Sequence, residues 1–141
     1  MIVAPAASLS DRLDRAAPHV ARLALGAAFL SAVASRFGLW QGRLDPTRFA
    51  AFIRYTGDVN AFLPAVLHPF LAVAATGAEL GLGLALIANL RLRWAAFGSA
   101  LLLTLFGLSM ALSQGPKSPL DYSVFSAASA ALLLGVRARP V

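Results

Sequence analysis

Long apolar stretches are the feature of this sequence that most restricts its fold. Residues 69–90 and 94–113 are each at least 20 residues long, and the one charged side chain in either is Glu79. A helix of about 20 residues is about 30 Å long, which matches the hydrocarbon core of a bilayer. Only 13% of the chain is charged, against about 25% in soluble domains. The sequence therefore predicts an integral membrane protein built from α-helices.

Two further segments are predicted to cross the membrane. Residues 19–40 have an uncharged centre between two arginines, whose long side chains can reach the interfaces. Residues 119–136 form a segment of 18 residues, which is about 27 Å of helix. Ser118 as an N-cap, with Asp121 three residues later, is predicted to begin that helix with a capping box. The predicted fold is therefore all-α, an integral membrane four-helix transmembrane bundle.

A short interfacial amphipathic helix is predicted between the first and second spans, at about residues 46–56. Asp45 is a favourable N-cap, Pro46 suits the first helical position, and Gly57 suits a C-terminal stop. Apolar side chains share one face of this helix, so we expect it either to lie at the membrane surface or to fold back over the bundle. The predicted organisation in chain order is a mobile leader at 1–18, a four-helix membrane domain at 19–137 and a C-terminal tail at 138–141.

The basic residues indicate orientation rather than nucleic-acid binding. The net charge is +6, but the arginines lie at the edges of apolar segments, and no basic stripe with interleaved aromatic residues occurs. Seven basic residues fall on the side of both termini and the 90–93 turn, against five on the other side. The positive-inside rule then predicts a multi-pass protein with both termini in the cytoplasm.

Metal and thiol chemistry is not indicated by the residues. The chain has no cysteine, which excludes disulfides, thiol redox couples and cysteine-bound clusters. Its two histidines, His19 and His68, begin the first and second spans on opposite sides, so about 30 Å of membrane separates them. We therefore predict no metal site, and no cofactor is evident from the residues alone.

Glu79 is the leading candidate for a functional residue, because a carboxylate at mid-bilayer costs roughly 3 kcal/mol on insertion scales. Gly77 and Gly81 flank it with small-xxx-small spacing, and Gly83 adds a further small residue. This pattern predicts a close helix contact that turns the acid toward protein rather than lipid. Two interpretations stay open for Glu79: a structural hydrogen bond between helices, or a ligand or proton site.

Other polar residues are predicted to surround this acid. Tyr122 and Ser126 follow helical spacing on the fourth span and form a polar face that we expect to pack toward Glu79. Arg36 is a further candidate partner if the first span is tilted. Candidate residues for a polar mouth on the non-cytoplasmic side are Lys117, Asp121, Tyr55 and Arg54.

Four segments carry a family resemblance, in the order RLALGAAFLSAVASRFGLW, FAAFIRYTGDVNAFLP, LAVAATGAELGLGLALI and KSPLDYSVFSAASAALLL. Over residues 19–137 the chain resembles the DoxX family of small four-helix bacterial membrane proteins. The resemblance implies a four-helix bundle in the bacterial inner membrane, with an acid in the second span at Glu79. It also implies Arg36 as the basic position after the first span, and Asp121 with Tyr122 as the polar start of the fourth. Relatives are linked to quinone-dependent sulfur oxidation and to oxidative-stress defence.

Two functions are compatible with these features. In the first, the protein is an accessory subunit of a membrane redox system that binds a quinone, a similar amphiphile or a lipid near Glu79. Electrons would then come from a redox protein partner, since no complete catalytic or redox-cofactor motif is present. In the second, the protein is a non-enzymatic interaction module or a small-solute or proton transport module, in which Glu79 is a packing or proton-coupling group. Whether the chain is an enzyme stays open, and so does assembly as a homo-oligomer.

Overall fold

Helices account for all regular secondary structure in the computed structural model, which describes residues 8–138. Residues 1–7 of the predicted leader (1–18) and residues 139–141 of the predicted tail (138–141) lie outside the described residues. The helices in chain order are α1 (Leu9–Arg36), α2 (Phe49–Val59), α3 (His68–Ile87), α4 (Leu92–Gln114), α5 (Lys117–Asp121) and α6 (Val124–Arg137). Short 3-10 turns occupy Leu39–Gln41, Pro46–Arg48 and Ala65–Leu67.

Three helical segments are long and apolar enough to cross a membrane, namely Leu9–Arg36, Ala65–Ile87 and Leu92–Gln114. This confirms the predicted all-helical membrane fold in its general form. α6 is apolar but has 14 residues, which is about 21 Å of helix and shorter than the hydrocarbon core. The fourth span predicted at 119–136 is therefore not one continuous helix.

The break before α6 lies at Ser123, whose φ of 54° is left-handed and interrupts the helix. The predicted capping box does not form. Ser118 Oγ donates to Gln114 Oε1 at 2.8 Å, and Asp121 Oδ2 accepts from Lys117 Nζ at 2.5 Å. Both capping side chains have other partners, and the break at Ser123 leaves a five-residue helix and a separate longer helix in place of the predicted span.

α1 begins earlier than predicted, because a capping box closes its first turn. Ser8 Oγ accepts from the N–H of Asp11 at 3.2 Å, and the Asp11 carboxylate accepts from the N–H of Ser8 at 2.9 Å. Residues 9–18, which the sequence assigned to a mobile leader, are thus helical. At its other end α1 stops at Arg36 rather than at residue 40, since Gly38 has a left-handed φ of 77°.

α2 folds back over the bundle, which is one of the two placements expected for the amphipathic helix. Its start follows the prediction, because Asp45 Oδ1 accepts from the N–H of Thr47 at 3.2 Å and Pro46 opens the 3-10 turn before it. The helix packs against α3 and α4 and buries Thr56 and Val59. It is therefore part of the packed structure rather than a helix that only lies on the membrane surface.

Gly57 has a packing role and does not stop α2 as predicted. A Cβ atom at this position would lie 2.8 Å from Nδ1 of His68. The helix continues to Val59, whose carbonyl accepts from Ser113 Oγ near the end of α4 at 3.0 Å. Phe52, about two turns earlier, lies beside the end of α1. α2 therefore runs from the end of α1 to the end of α4.

The packed core occupies the half of the bundle where α1 begins, α6 ends and α3 turns into α4. α1 packs on α3, and α4 packs on α6. The buried members of this core are Leu25, Phe29, Leu86, Ala95, Ala96, Ala100, Ala131 and Leu134. Half of them are alanine, so the helix backbones approach closely and dispersion contacts replace large interdigitating side chains.

Gly26→Ala is expected to destabilise the bundle, whereas Gly81→Ala is not. A Cβ at Gly26 would lie 2.9 Å from Ile87 Cγ1 and 3.0 Å from the carbonyl oxygen of Gly83, so α1 and α3 would have to separate. The expected loss is about 1–3 kcal/mol, seen as a lower melting temperature in detergent. At Gly81 no described atom lies within 4 Å of an added Cβ, so that variant is the control. Equal melting temperatures for both variants would contradict this packing.

Candidate functional site

The carboxylate of Glu79 is paired with a guanidinium inside the protein. Its Oε2 atom lies 2.5 Å from Nη1 of Arg36, and the two side chains are 5% and 10% exposed. Arg36 is the last residue of α1, and Glu79 lies in the middle of α3. Opposite charges at this separation attract strongly where water is excluded. The acid thus has a counter-charge, from a residue that the sequence offered as a candidate partner.

Arg36 is held by contacts with two helices besides its own. Its Nη1 donates to Thr76 Oγ1 at 2.8 Å, and the Thr76 hydroxyl donates in turn to the Ala72 carbonyl at 2.8 Å. The guanidinium carbon lies 3.6 Å from the centroid of the Phe52 ring, a cation–π contact with α2. One side chain therefore joins α1, α2 and α3.

Oε2 of Glu79 receives the charge of Arg36 at short range but no well-directed hydrogen bond from the described residues. Arg36 Nη1 directs one of its N–H groups at Thr76, so its contact with Oε2 is chiefly that of an ion pair. Buried carboxylate oxygens normally have a directed donor, because an unpaired one costs free energy. Oε2 itself is buried against Arg36, so a ligand has to use the other acceptor positions of this carboxylate.

Both members of the pair line a cavity of about 430 Å³ between α2, α3 and α4. Its wall is mainly apolar, with aliphatic and aromatic side chains from all three helices. Residues that line the cavity include Phe52, Tyr55, Thr56, Asn60, Ala74, Leu105 and Phe106. Volume and composition are typical of a site for a small organic molecule.

The cavity extends along α2 away from the ion pair. Phe52, which lies over Arg36, and Asn60 both line it, and eight residues of helix correspond to about 12 Å. Its polar groups on this side are already used by the helix, since Thr56 Oγ1 donates to the Phe52 carbonyl and Asn60 Nδ2 donates to the Thr56 carbonyl, both at 2.9 Å. The ion pair is therefore the main polar feature of the wall.

Tyr55 adds a hydroxyl to the same wall. Burial raises the pKa of this phenol above its ordinary value, and the nearby Tyr122 and Asp58 raise that pKa further. The phenol is therefore protonated at neutral pH and can donate a hydrogen bond to a ligand.

The structure brings together some of the predicted site residues and leaves others apart. Arg36, Glu79 and Tyr55 all line the cavity. Tyr122 is exposed and Ser126 lies on an exposed face of α6, so neither packs toward the acid as expected. The physical reason is the left-handed residue Ser123, which separates Tyr122 from α6 and breaks the assumed helical spacing.

The predicted polar mouth is likewise not part of the cavity wall, apart from Tyr55. Lys117 and Asp121 form an ion pair with side chains 83% and 56% exposed, and Arg54 is exposed on α2. These three side chains point to solvent or the membrane interface because the helices that carry them bury other faces.

The glycine pattern around Glu79 has a different role from the one predicted. Gly77 and Gly81 have no described atom within 4 Å of an added Cβ, so they form no close contact inside the described chain. Gly83 does pack closely, since a Cβ there would lie 3.0 Å from Leu30 and 3.2 Å from Phe29 Cβ. Glu79 faces protein because of Arg36, not because of the small-xxx-small pair.

The two residues that hold Arg36 in place, Phe52 and Thr76, were not predicted from the sequence. Phe52 had a signal, because it lies on the apolar face of the amphipathic helix, but nothing local indicated which side chain that face would cover. Thr76 lies three residues before Glu79, which places both on one face of α3. This helical spacing from the buried acid is the signal for Thr76 that the sequence contains.

Comparison with known proteins assigns most of the chain to a family. A family model described as "Methylamine utilisation protein MauE" matches residues 14–119, which include Arg36, Glu79 and every residue that lines the cavity. No curated protein and no solved structure matches. The expectation that the chain matches a family of small membrane proteins is confirmed, but the matching family model is MauE and not DoxX.

Breaking the Arg36–Glu79 pair from one side is expected to cost more stability than removing both charges. Glu79→Leu leaves a buried guanidinium without its counter-charge, and Arg36→Met leaves a buried carboxylate in the same state. Each single change should lower the free energy of unfolding by roughly 3–5 kcal/mol. The double variant should be more stable than either single variant. Unfolding by denaturant in detergent micelles measures all three.

The exposed pair of Lys117 and Asp121 is the matched control. Lys117→Met and Asp121→Leu break an ion pair of the same 2.5 Å separation, but in a solvated position where such a pair contributes about 0–1 kcal/mol. Equal losses at the two pairs would contradict the buried, coupled state of Arg36 and Glu79. So would a double variant whose loss equals the sum of the single losses.

Proposed function

The chain belongs to the family of the methylamine utilisation protein MauE, and on that premise we propose that it is a membrane accessory protein whose cavity binds a neutral amphiphile of the quinone class. The observation that carries the proposal is the Arg36–Glu79 ion pair in the wall of an otherwise mainly apolar cavity. The family name supports an accessory role in amine utilisation. In that role the chain would work beside a redox protein partner.

The charges of the cavity wall favour a ligand without net charge. Arg36 and Glu79 are the charged residues of the wall, and they cancel each other. A cation such as protonated methylamine would meet the Arg36 guanidinium, which already covers the Phe52 ring, and an anion would meet Glu79. Either ion would lose its hydration without gaining a free counter-charge, which makes its burial unfavourable.

A quinone head group suits the hydrogen-bonding groups of the pair in both redox forms. Quinone carbonyl oxygens accept, and the Arg36 guanidinium has N–H groups beyond the one directed at Thr76. Quinol hydroxyls donate, and the Glu79 carboxylate has acceptor positions beyond the one that is buried against Arg36. The rings of Phe52 and Phe106 line the same space and offer flat apolar contacts to a ring.

Electron transfer falls to a partner rather than to this chain in the proposed function. The sequence contains no cysteine, so it offers no thiol couple, and the cavity residues bind and orient a ligand without supplying electrons. The protein would thus hold a quinone next to a redox protein or a second copy of itself. We place it in the bacterial inner membrane with both termini in the cytoplasm, in keeping with the distribution of its arginines.

The packed core weighs against the alternative of solute or proton transport. A path from Glu79 to the side where α1 begins would have to cross the buried side chains of Leu25, Phe29 and Leu86. The cavity lies on the other side of this core, between α2, α3 and α4. A site with access from one side suits a binding module better than a transport path through the bundle.

Arg36→Lys is expected to weaken quinone binding about 10–100-fold, because lysine keeps the charge but loses the planar stack on Phe52 and the forked donors. Isothermal titration of a decyl-substituted benzoquinone into the purified protein in detergent measures the affinity. Arg54→Lys makes the same change on an exposed part of α2 outside the cavity and should bind like the unmodified protein. No binding by the unmodified protein, or equal affinity of the two variants, would refute the proposal.

Glu79→Gln is expected to change the charge preference of the cavity. Glutamine keeps the size of the side chain but leaves Arg36 as an uncompensated cation, so an anionic amphiphile gains a counter-charge. Decanoate should bind this variant at least about tenfold more tightly than it binds the unmodified protein. Asp121→Asn removes an exposed carboxylate instead and should leave decanoate binding unchanged. If Glu79→Gln leaves decanoate binding unchanged as well, the acid does not determine which ligand charge the cavity prefers.

A further inference from the structure

α3 and α4 are packed at one end and separated at the other. Near their connecting turn a Cβ on Gly98 of α4 would lie 3.0 Å from Leu82 of α3, and both helices contribute to the core there. Further from the turn the cavity lies between the same two helices, lined by Ala74 on α3 and Leu105 on α4, among others. The two helices thus form a wedge, and the cavity fills its wide end.

α2 closes one side of this wedge. Its residues Thr56 and Val59 are buried and line the cavity, and Phe52 is held over Arg36. The opening is marked by lining residues that are themselves exposed. Leu105 is 51% exposed and Tyr55 is 44% exposed, and Ala74 is exposed on α3. The cavity is therefore open at a mouth defined by Ala74, Leu105 and Tyr55.

The mouth lies at the depth of the hydrocarbon core. Leu105 is near the middle of α4, which runs from Leu92 to Gln114 and is long enough to span a membrane. The exposed residues at helical spacing from it, Leu101, Leu108 and Leu112, are all leucines and form a lipid-facing stripe. A mouth in this stripe opens into lipid rather than water.

We infer that the ligand enters sideways from the bilayer, between α3 and α4, and that it is a neutral lipid with one long isoprenoid or acyl tail. Its head group binds at Arg36 and Glu79, and its tail stays in the mouth between Ala74 and Leu105. This inference rests on the proposed function. A cavity of about 430 Å³ accommodates a ring head group and the start of a chain. A long tail exceeds that space and has to leave through an apolar opening.

Leu105→Trp tests the mouth, because the larger ring narrows it from a position that faces lipid. The probes are a benzoquinone with a long polyisoprenoid tail and the same ring with a methyl group in place of the tail, each bound to protein in phosphatidylcholine vesicles. Leu105→Trp should weaken binding of the tailed quinone at least about tenfold and change binding of the tail-free ring by less than about threefold. Leu101→Trp places the same side chain on the same stripe outside the cavity and should change neither.

Ala74→Leu narrows the mouth from α3 and should reproduce the selective loss. Two outcomes overturn the lateral mouth while the proposed function survives: equal losses of both quinones in Leu105→Trp, which place the new ring in the head-group site, and unchanged binding of the tailed quinone in both mouth variants. Failure of the unmodified protein to bind either quinone overturns the proposed function itself, and the lateral mouth with it.

Discussion

The contact between Arg36 and Glu79 determines how three parts of the chain meet. A carboxylate in the middle of α3 cannot stay charged and buried without a counter-charge, and the end of α1 supplies it at 2.5 Å. The guanidinium then lies against Phe52, which fixes where α2 begins its path over the bundle. The desolvation cost of both ions offsets much of their attraction. The pair therefore selects one arrangement of helices more than it stabilises the fold.

The bundle is divided into a closely packed half and a half that contains the cavity, and residue size explains this division. Where α3 turns into α4, alanines such as Ala95 and Ala96 let the helices approach until no space is left. Toward the other end α3 and α4 separate, and α2 fills the gap only in part. A closely packed half beside an open half is a suitable base for a binding site, because the helices are already held together before a ligand binds.

Local signals in the sequence predicted the features that neighbouring residues decide. The apolar lengths of α3 and α4 and the N-cap at Asp45 were predictable because each depends on residues close in the chain. The contact of Arg36 with Phe52 was not, since it depends on how the loop between α1 and α2 folds. Ser126 was expected beside Glu79 on the assumption of one unbroken helix. A single left-handed residue removes the register on which that expectation depended.

The family match bears on which part of the chain carries the function. It ends at residue 119 and so excludes α6, although α6 packs along α4 and contributes Ala131 and Leu134 to the core. A function common to the family has to rest on residues within the matched region. The cavity meets this condition. Its wall is formed by residues of α1, α2, α3 and α4 and by Asn60, which follows α2, and none of the lining residues belongs to α6. α6 then acts on the site indirectly, by holding α4 and α1, the two helices on which it packs.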